Sequence, residues 1–338
     1  LNEESSTYNV LSYGQKSDYY KDVIQGAILS PRSFWFVKPV SSARVTNKTT
    51  PYVSTDPFAI KYAKDPWNMQ FQGQVESDFL YATLLSRELF PFFNKNYSLI
   101  VLPLKNSELL PKDQLLIQGY PKTSNWVKDV EEKWEELANS NLSLYENINY
   151  QNKLTRQNTD IGFKVIYGTA GTNIAASIVK FDDKNKDEIF ELSTNGYVAE
   201  STTYYFETND ENEAYYLCAY LNSPFVNEAI KPYQSQGAFG ATSGGGQRHI
   251  HRRPFEVLAF PKFDPDNERH NTLSALGQKA EQTVEKWFKD NPEANEKYWI
   301  TLRDDVRDVI QDILDEIDVV VEEILEKDVS EKKGSGEE

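Results

Sequence analysis

The fold is decided by residues 195–231, which read NGYVAESTTYYFETNDENEAYYLCAYLNSPFVNEAIK. The first half is rich in aromatic and β-branched residues and predicts strands at 197–199 and 202–206. The second half predicts a helix over 214–221, a break at Asn222-Ser223-Pro224 and a further helix to about Ile230. We therefore expect an α+β fold, with mixed, largely antiparallel sheets and interleaved helices.

Upstream of this stretch, strands are predicted at 164–167 and 175–179. They flank Gly168-Thr169-Ala170-Gly171-Thr172-Asn173, which predicts a turn. The turn resembles a phosphate-binding loop only superficially, because no lysine follows its second glycine. Nearer the N-terminus the pattern predicts strands at 33–37 and 97–104, a long loop at 41–70 and a helix over 75–90. It also predicts an acidic helix that Ser124 or Asn125 caps. One face of this helix carries Trp126, Val130, Trp134 and Leu137.

The last third of the chain is predicted to be a helical C-terminal section. A helix is expected over 271–288. After it, apolar residues recur at the a and d positions of three heptads, and carboxylates fall on the opposite face. This stripe predicts a helix that packs along a neighbouring helix. Its members are Val306, Ile310, Ile313, Ile317, Val320 and Ile324.

Composition excludes several classes of protein. The 338 residues include 39% hydrophobic and 26% charged residues, which is typical of a globular chain, and no apolar run is long enough to cross a membrane. Cys218 is the single cysteine, so a reducing, cytoplasmic location is expected. The net charge of -16 argues against a non-specific nucleic-acid coat, although a local basic patch remains compatible with it. Because the chain starts at Leu1 and its one methionine is Met69, we expect a further part of the protein upstream.

The most informative segment for function is 234–263, QSQGAFGATSGGGQRHIHRRPFEVLAFPKF. Three arginines and two histidines follow a glycine-rich loop, and arginine can bridge a guanine edge or a phosphate with two hydrogen bonds. If this run is extended, one face carries Arg248, Ile250 and Arg252, and the other carries His249, His251 and Arg253. A second interpretation stays open, in which these arginines pair with the protein's own carboxylates. A metal is not expected at the two histidines, because no third ligand is apparent.

Taken in order, four segments resemble the C-terminal target-recognition region of adenine-specific (N6) DNA methyltransferases of the TaqI-like restriction-modification type. The resemblance covers about residues 20–280. Its segments are GAILSPRSFWFV, NTDIGFKVIYGTAGTNIAAS, the stretch 195–231 quoted above, and the glycine-rich loop with RHIHRRPFEVLAFPKFDP.

The resemblance implies DNA target recognition rather than catalysis by this chain. In such enzymes a separate domain binds S-adenosylmethionine, carries an Asn-Pro-Pro-Tyr/Phe motif and flips the adenine out of the duplex. Neither that motif nor a glycine-rich cofactor motif occurs here. The fragment alone is therefore expected to have no enzyme activity and to bind no cofactor. We expect Arg248 and Arg252 to contact bases or phosphates, supported by His249 and Arg253 and by Gly245 and Gln247 of the loop. Weaker DNA-binding candidates are Arg32, Ser33, Thr155 and Arg156.

Four parts of the chain are predicted. Residues 1–150 would form the N-terminal part of the recognition region, 151–265 an α/β part with the basic loop, 266–327 the helical section and 328–338 a disordered tail. The expected partners are double-stranded DNA, an upstream catalytic domain that binds S-adenosylmethionine, and a restriction or defence subunit. The alternative is a protein-interaction or regulatory module of a phage-defence complex that docks through the heptad helix.

Overall fold

The computed structural model describes residues 15–40, 47–180, 192–234 and 248–334, with the backbone alone for 327–334. The glycine-rich loop, including Gly245 and Gln247, lies outside the described residues. The strands are β1 (Ile24–Gln25), β2 (Phe36–Pro39), β3 (Tyr52–Thr55), β4 (Gln72–Gln74), β5 (Leu80–Thr83), β6 (Leu89–Phe90), β7 (Phe93–Asn94), β8 (Ser98–Val101), β9 (Leu104–Lys105), β10 (Glu108–Leu109), β11 (Phe163–Gly168), β12 (Ala170–Gly171), β13 (Ala176–Lys180), β14 (Thr203–Thr208) and β15 (Arg248–His249).

The helices alternate with these strands and then dominate the end of the chain. They are α1 (Arg32–Trp35), α2 (Lys112–Ile117), α3 (Pro121–Leu137), α4 (Leu144–Ile148), α5 (Glu211–Asn222), α6 (Pro224–Ile230), α7 (Arg253–Val257), α8 (Glu268–Asp290), α9 (Trp299–Val309) and α10 (Gln311–Gly334). The predicted α+β class, with antiparallel sheets and a helical C-terminal section, is confirmed.

An N-terminal sheet has the strand order β4-β3-β2-β8-β5, and every neighbouring pair is antiparallel. Helix α3 packs on it through Trp126, Val130 and Trp134, as predicted. The helix begins three residues earlier than the predicted caps, at Pro121. The Glu76 carboxylate instead accepts hydrogen bonds from the first-turn amides of Lys122 and Thr123, at 3.0 and 2.7 Å, so a distant residue satisfies this helix end.

A central sheet has the order β1-β14-β11-β13. Helix α5 lies between this sheet and α8, which explains why its residues from Ala214 to Asn222 are all buried. The two helices approach closely at Gly277, where a Cβ atom would lie 2.7 Å from the Tyr215 carbonyl oxygen. Any larger residue at this position would push α8 away from α5.

The two cores share residues. The N-terminal core contains Tyr197 and Ala199 from far along the chain, and β1 from the N-terminus is the edge strand of the central sheet. Isolated bridges join Ala27 to Glu200 and Ala82 to Tyr197, so 197–199 does not form the predicted strand. The predicted division near residue 150 stays a prediction.

The heptad stripe packs inside the molecule. Helices α9 and α10 replace the single predicted helix, because the chain kinks at Ile310, where the regular hydrogen bonding of α9 ends. Most of the predicted stripe is buried against α8 and neighbouring helices, while Val320 is only partly buried and Val321 takes its place in the core. The backbone of α10 continues to Gly334, and the predicted disordered tail at 328–338 stays a prediction. Residues 335–338 lie outside the described part.

Three further predictions near the N-terminus are wrong. The 33–37 strand is the one-turn helix α1 followed by β2, and the 41–70 loop contains β3. The 75–90 helix is the strand β5 with short 3-10 turns on either side. All four residues of β5 are buried, and a short apolar run that is buried on both faces lacks the alternation that identifies a strand.

Candidate nucleic-acid interface

The basic run forms a short strand and then a turn at one end of the central sheet. In β15, His249 pairs with Ala170 and Arg248 pairs with Gly171 of β12. The amides of Ile250 and His251 then both donate to the Thr169 carbonyl oxygen, at 2.9 and 3.2 Å. His251 has a φ of 45°, which redirects the chain into α7. The predicted alternation of faces therefore fails after His249, and Ile250 is buried in the core.

The three arginines of this turn have different surroundings. Arg253 pairs with Glu256 at 2.6 Å, as the second interpretation of the sequence supposed. Arg248 instead donates to the Lys231 carbonyl oxygen at 3.4 Å, and the Arg252 guanidinium lies 5.3 Å from the centre of the Tyr20 ring. Within the described residues, no carboxylate lies within 4.0 Å of Arg248 or Arg252. Both guanidinium groups therefore keep their charge without an internal counter-ion.

The two histidines stack, with ring centres 5.0 Å apart and planes inclined by 10°. Burial lowers the pKa of His251, and the charges of His249 and Arg253 lower it further, so the ring is neutral at pH 7. In the described ranges, no three side chains of the metal-ligating types come together. The two rings can donate and accept hydrogen bonds at the turn.

Arg32 lies at the mouth of a cleft between the two sheets. Its guanidinium is 3.4 Å from the Glu200 carboxylate, and its side chain is about a third exposed. The cleft has a volume of 640 Å³ and is also lined by Tyr62, Lys64 and Arg87. Glu200 accepts hydrogen bonds from the hydroxyl groups of the neighbouring Ser201 and Thr202, which fixes the carboxylate beside Arg32.

Hydrogen bonds connect this cleft with the basic turn. The Thr169 amide, whose carbonyl holds the turn, donates to the Thr202 carbonyl oxygen at 2.9 Å. On the same side, Lys153 donates to Gln25 at 2.9 Å, and Gln25 donates to the Ser201 carbonyl oxygen at 2.9 Å. Burial lowers the pKa of Lys153, and the nearby charge of Arg252 lowers it further. We call the surface formed by Arg32, Lys64, Arg87, Lys153, Arg248 and Arg252 the basic end.

Sequence reasoning missed Lys64, Arg87 and Lys153 of the basic end. Lys64 and the exposed Tyr62 (78% of its surface) come from the segment predicted to be a loop, and Arg87 follows β5. Arg87 lies 3.1 Å from Glu88 and stacks 4.2 Å from the centre of the exposed Phe58 ring. The alternation of basic and aromatic residues over 58–64 was the available signal, because exposed aromatics beside cations are typical of nucleic-acid surfaces.

The remaining predicted site residues do not join the basic end. Ser33 is fully buried, and its hydroxyl group has no hydrogen-bond partner within the described residues, so it cannot touch a ligand outside the molecule. Thr155 is occupied by hydrogen bonds with Asn149. Arg156 is exposed, but it lies with Lys21 and Glu207 around a separate cavity of 460 Å³.

The glycine turn does not fit a nucleotide cofactor. After Gly171-Thr172-Asn173 the chain enters the strand β13 rather than a helix, so the turn lacks the helix N-terminus that holds a pyrophosphate.

No helix in the described part of the chain has the length and apolar character needed to cross a membrane.

Comparison with known proteins finds matches at low sequence identity among solved structures. No protein-family model and no curated protein sequence matches the chain. Among solved structures it is similar to the type IIL restriction-modification enzyme MmeI in complex with DNA, with 10% identity, a TM-score of 0.48, and coverage of 93% of this chain and 33% of that one. For the type IIG restriction endonuclease BpuSI the identity is 12%, the TM-score 0.35, and the coverage 87% and 31%. The chain spans about a third of each neighbour, and with TM-scores below 0.5 this likeness carries no argument about its function.

Proposed function

We propose that this chain binds duplex DNA through its basic end and reads the target sequence for a site-specific adenine-N6 DNA methyltransferase of a restriction-modification or phage-defence system. S-adenosylmethionine and the methyl-transfer chemistry would belong to a catalytic domain outside this chain. This chain would position the duplex for that domain.

The observation that carries the proposal is the charge balance of the basic end. On a chain with a net charge of -16, Arg248 and Arg252 have no carboxylate within ion-pair distance in the described residues. They are held by a folded turn that is bonded to the Arg32 cleft, so the cations are fixed relative to one another. An external anion is the partner that such an arrangement lacks, and duplex DNA presents phosphates and guanine edges at this scale.

The test is a titration of the chain against a labelled 30-base-pair duplex of randomised sequence at several salt concentrations. We expect Arg248→Ala and Arg252→Ala each to weaken binding by roughly fivefold to tenfold, and each to reduce the salt slope by about 1. Arg269→Ala is the matched control, because Arg269 is a surface arginine that pairs with Glu323 at 2.8 Å in the helical section. Equal affinities for all four proteins would remove the basic end as the DNA site.

The alternative function, docking of a partner through the heptad helix, requires the apolar stripe of that helix to be exposed. The heptad stripe that would hold a partner is covered by α8 and other helices of the same chain, and Ile317 is fully buried. DNA reading is therefore the function that we propose, and docking stays an alternative.

A further inference from the structure

A second pair of arginines lies beside the basic end. Arg303 and Arg307 are one turn apart on α9. Arg303 donates from Nε to the Leu89 carbonyl oxygen at 2.8 Å and also donates to the Ser86 carbonyl oxygen. Arg307 donates to the Ile174 carbonyl oxygen. Both guanidinium groups thus point at loops that join the strands of the central region, with neutral acceptors as their partners.

Glu88, Asp304 and Asp318 offset their charges only in part, from beyond ion-pair distance. Within the described residues, no carboxylate lies within 4.0 Å of either guanidinium group. Burial lowers the pKa of both side chains to about 10, and the charge of Arg307 adds to this effect at Arg303. Both remain charged at neutral pH, and two adjacent, partly buried guanidinium groups whose hydrogen-bond partners are neutral would be stabilised by an anion between them.

A small cavity lies against these arginines. Its volume is 160 Å³, and Thr172, Asn173, Trp299 and Asp304 line it together with them. The Arg303 guanidinium lies 4.6 Å from the centre of the Trp299 ring. Asp304 is the one acidic lining residue, against two arginines, so the described lining keeps a net positive charge. We call this cavity the α9 pocket.

Hydrogen-bonded residues connect the α9 pocket with the basic end. Gly171, which lines the pocket, pairs with Arg248 in the β12–β15 ladder. Ser86, whose carbonyl holds Arg303, donates its amide to the Thr202 hydroxyl group at 3.3 Å. A phosphate in the pocket would therefore lie along the same surface as a duplex bound at the basic end.

We propose that the α9 pocket binds a phosphate group between Arg303 and Arg307. A guanidinium group offers a fork of donors that matches phosphate oxygens, and Thr172 and Asn173 add polar groups on the opposite wall. The proposal of a phosphate site depends only on the residues that line the pocket. The further assignment of a DNA backbone phosphate as its natural occupant rests on the function proposed above. Free phosphate, or the phosphate of a small ligand, is the other source of the same chemistry.

The test uses inorganic phosphate as the probe and thermal unfolding as the readout, with sodium chloride at equal ionic strength as the reference. At about 100 times Kd, we expect phosphate to raise the Tm of the unmodified chain by about 3 °C. Asn173→Asp places a carboxylate in the pocket, where it can satisfy the arginines and repel phosphate, so it should fold and lose this rise. Asn158→Asp makes the same change at an exposed site, where the aspartate can still accept from the Asp160 amide, and it should keep the rise.

A phosphate effect that is absent in the unmodified chain, or equal in all three proteins, would overturn the pocket. Duplex titration then identifies the source. If Asn173→Asp binds duplex about tenfold more weakly than Asn158→Asp, the occupant is a backbone phosphate. If the two variants bind duplex equally while only Asn173→Asp loses the phosphate effect, the pocket stands and takes a free phosphate. If the unmodified chain binds no duplex but responds to phosphate, the DNA-reading function fails and the pocket remains.

Discussion

Arg248 and Arg252 in the turn of the basic end differ from Arg269, Lys279 and Lys297 of the C-terminal section in how they are paired. In the helices, Arg269 meets Glu323 at 2.8 Å, Lys279 meets Glu316 at 3.2 Å, and Lys297 meets Asp305 at 2.6 Å. At the basic end, Arg248 meets a carbonyl oxygen and Arg252 an aromatic ring. Most acidic residues of 303–338 are on α9 and α10, so carboxylates are plentiful around these three ion pairs.

The difference distinguishes cations that are paired with carboxylates of the protein from cations whose charge a bound anion can balance. An exposed ion pair contributes little and needs nothing from outside, whereas a cation without a counter-ion gains free energy when an anion arrives. We therefore expect changes at the paired or buried residues of the helices to alter stability, and changes at Arg248 and Arg252 to alter binding. Three experiments test the helical side of this comparison.

The largest effect is expected at Ile317, which is fully buried in the stripe. Ile317→Ala removes apolar contacts and leaves a cavity, so it should lower the free energy of unfolding by about 3 kcal/mol, with duplex affinity of the folded protein unchanged. Denaturant unfolding measures the loss. A variant as stable as the parent chain would mean that the stripe is not core, and the comparison would break.

The next effect is the pH dependence from Asp318. Its carboxylate accepts from the Ser223 hydroxyl group at 2.5 Å and the Phe225 amide at 3.1 Å, at the start of α6. Burial raises the pKa of Asp318 to about 6, despite these hydrogen bonds. Because the folded state binds the proton more tightly, the stability from this group is present below its unfolded pKa of about 3.9 and lost as the pH rises through about 6.

Asp318→Asn removes this titration and keeps an oxygen to accept both hydrogen bonds. When the pH is raised from 4 to 7, the free energy of unfolding of the variant relative to that of the parent chain should increase by about 2 kcal/mol. This value allows for partial exposure of the carboxylate. Unfolding titrations at both pH values give the difference. A constant gap between the two proteins across this range would show that the carboxylate is not perturbed.

The smallest effect concerns the Arg269–Glu323 pair, whose side chains are both exposed. A double-mutant cycle with Arg269→Ala and Glu323→Ala should give a coupling free energy of about 0.5 kcal/mol, because solvent screens the attraction. Neither substitution should change duplex affinity. If Arg269→Ala weakened DNA binding as much as Arg252→Ala, internal pairing would no longer distinguish the two regions.

Sequence patterns predicted the elements with a clear period or a clear break. The helices on either side of Asn222-Ser223-Pro224 and the strands at 164–167 and 175–179 are present, because proline placement and β-branched runs act locally. Patterns failed at Leu80–Thr83, which is buried on every side, and at Ile310, where the α9–α10 kink interrupts an unbroken apolar repeat. Neither is encoded in the spacing of apolar residues.

The candidate site was predictable only in part. The density of arginine and histidine at 248–253 is visible in one segment, but its bend at His251 depends on the Thr169 carbonyl far upstream. Arg87, Lys64 and Arg303 come from separate segments that folding brings together. Ser33 shows the opposite error, since its place next to Arg32 gave no sign that its side chain faces the core.

The sharing of residues between the two cores has a consequence for synthesis on the ribosome. The edge strand β1 leaves the ribosome early, yet its partner β14 begins only at Thr203. The N-terminal core likewise waits for Tyr197 and Ala199. Neither core can close until the chain has emerged as far as β14, so the nascent chain exposes unpaired strands throughout the interval between β1 and β14. We therefore expect this protein to depend on chaperones while it is being made.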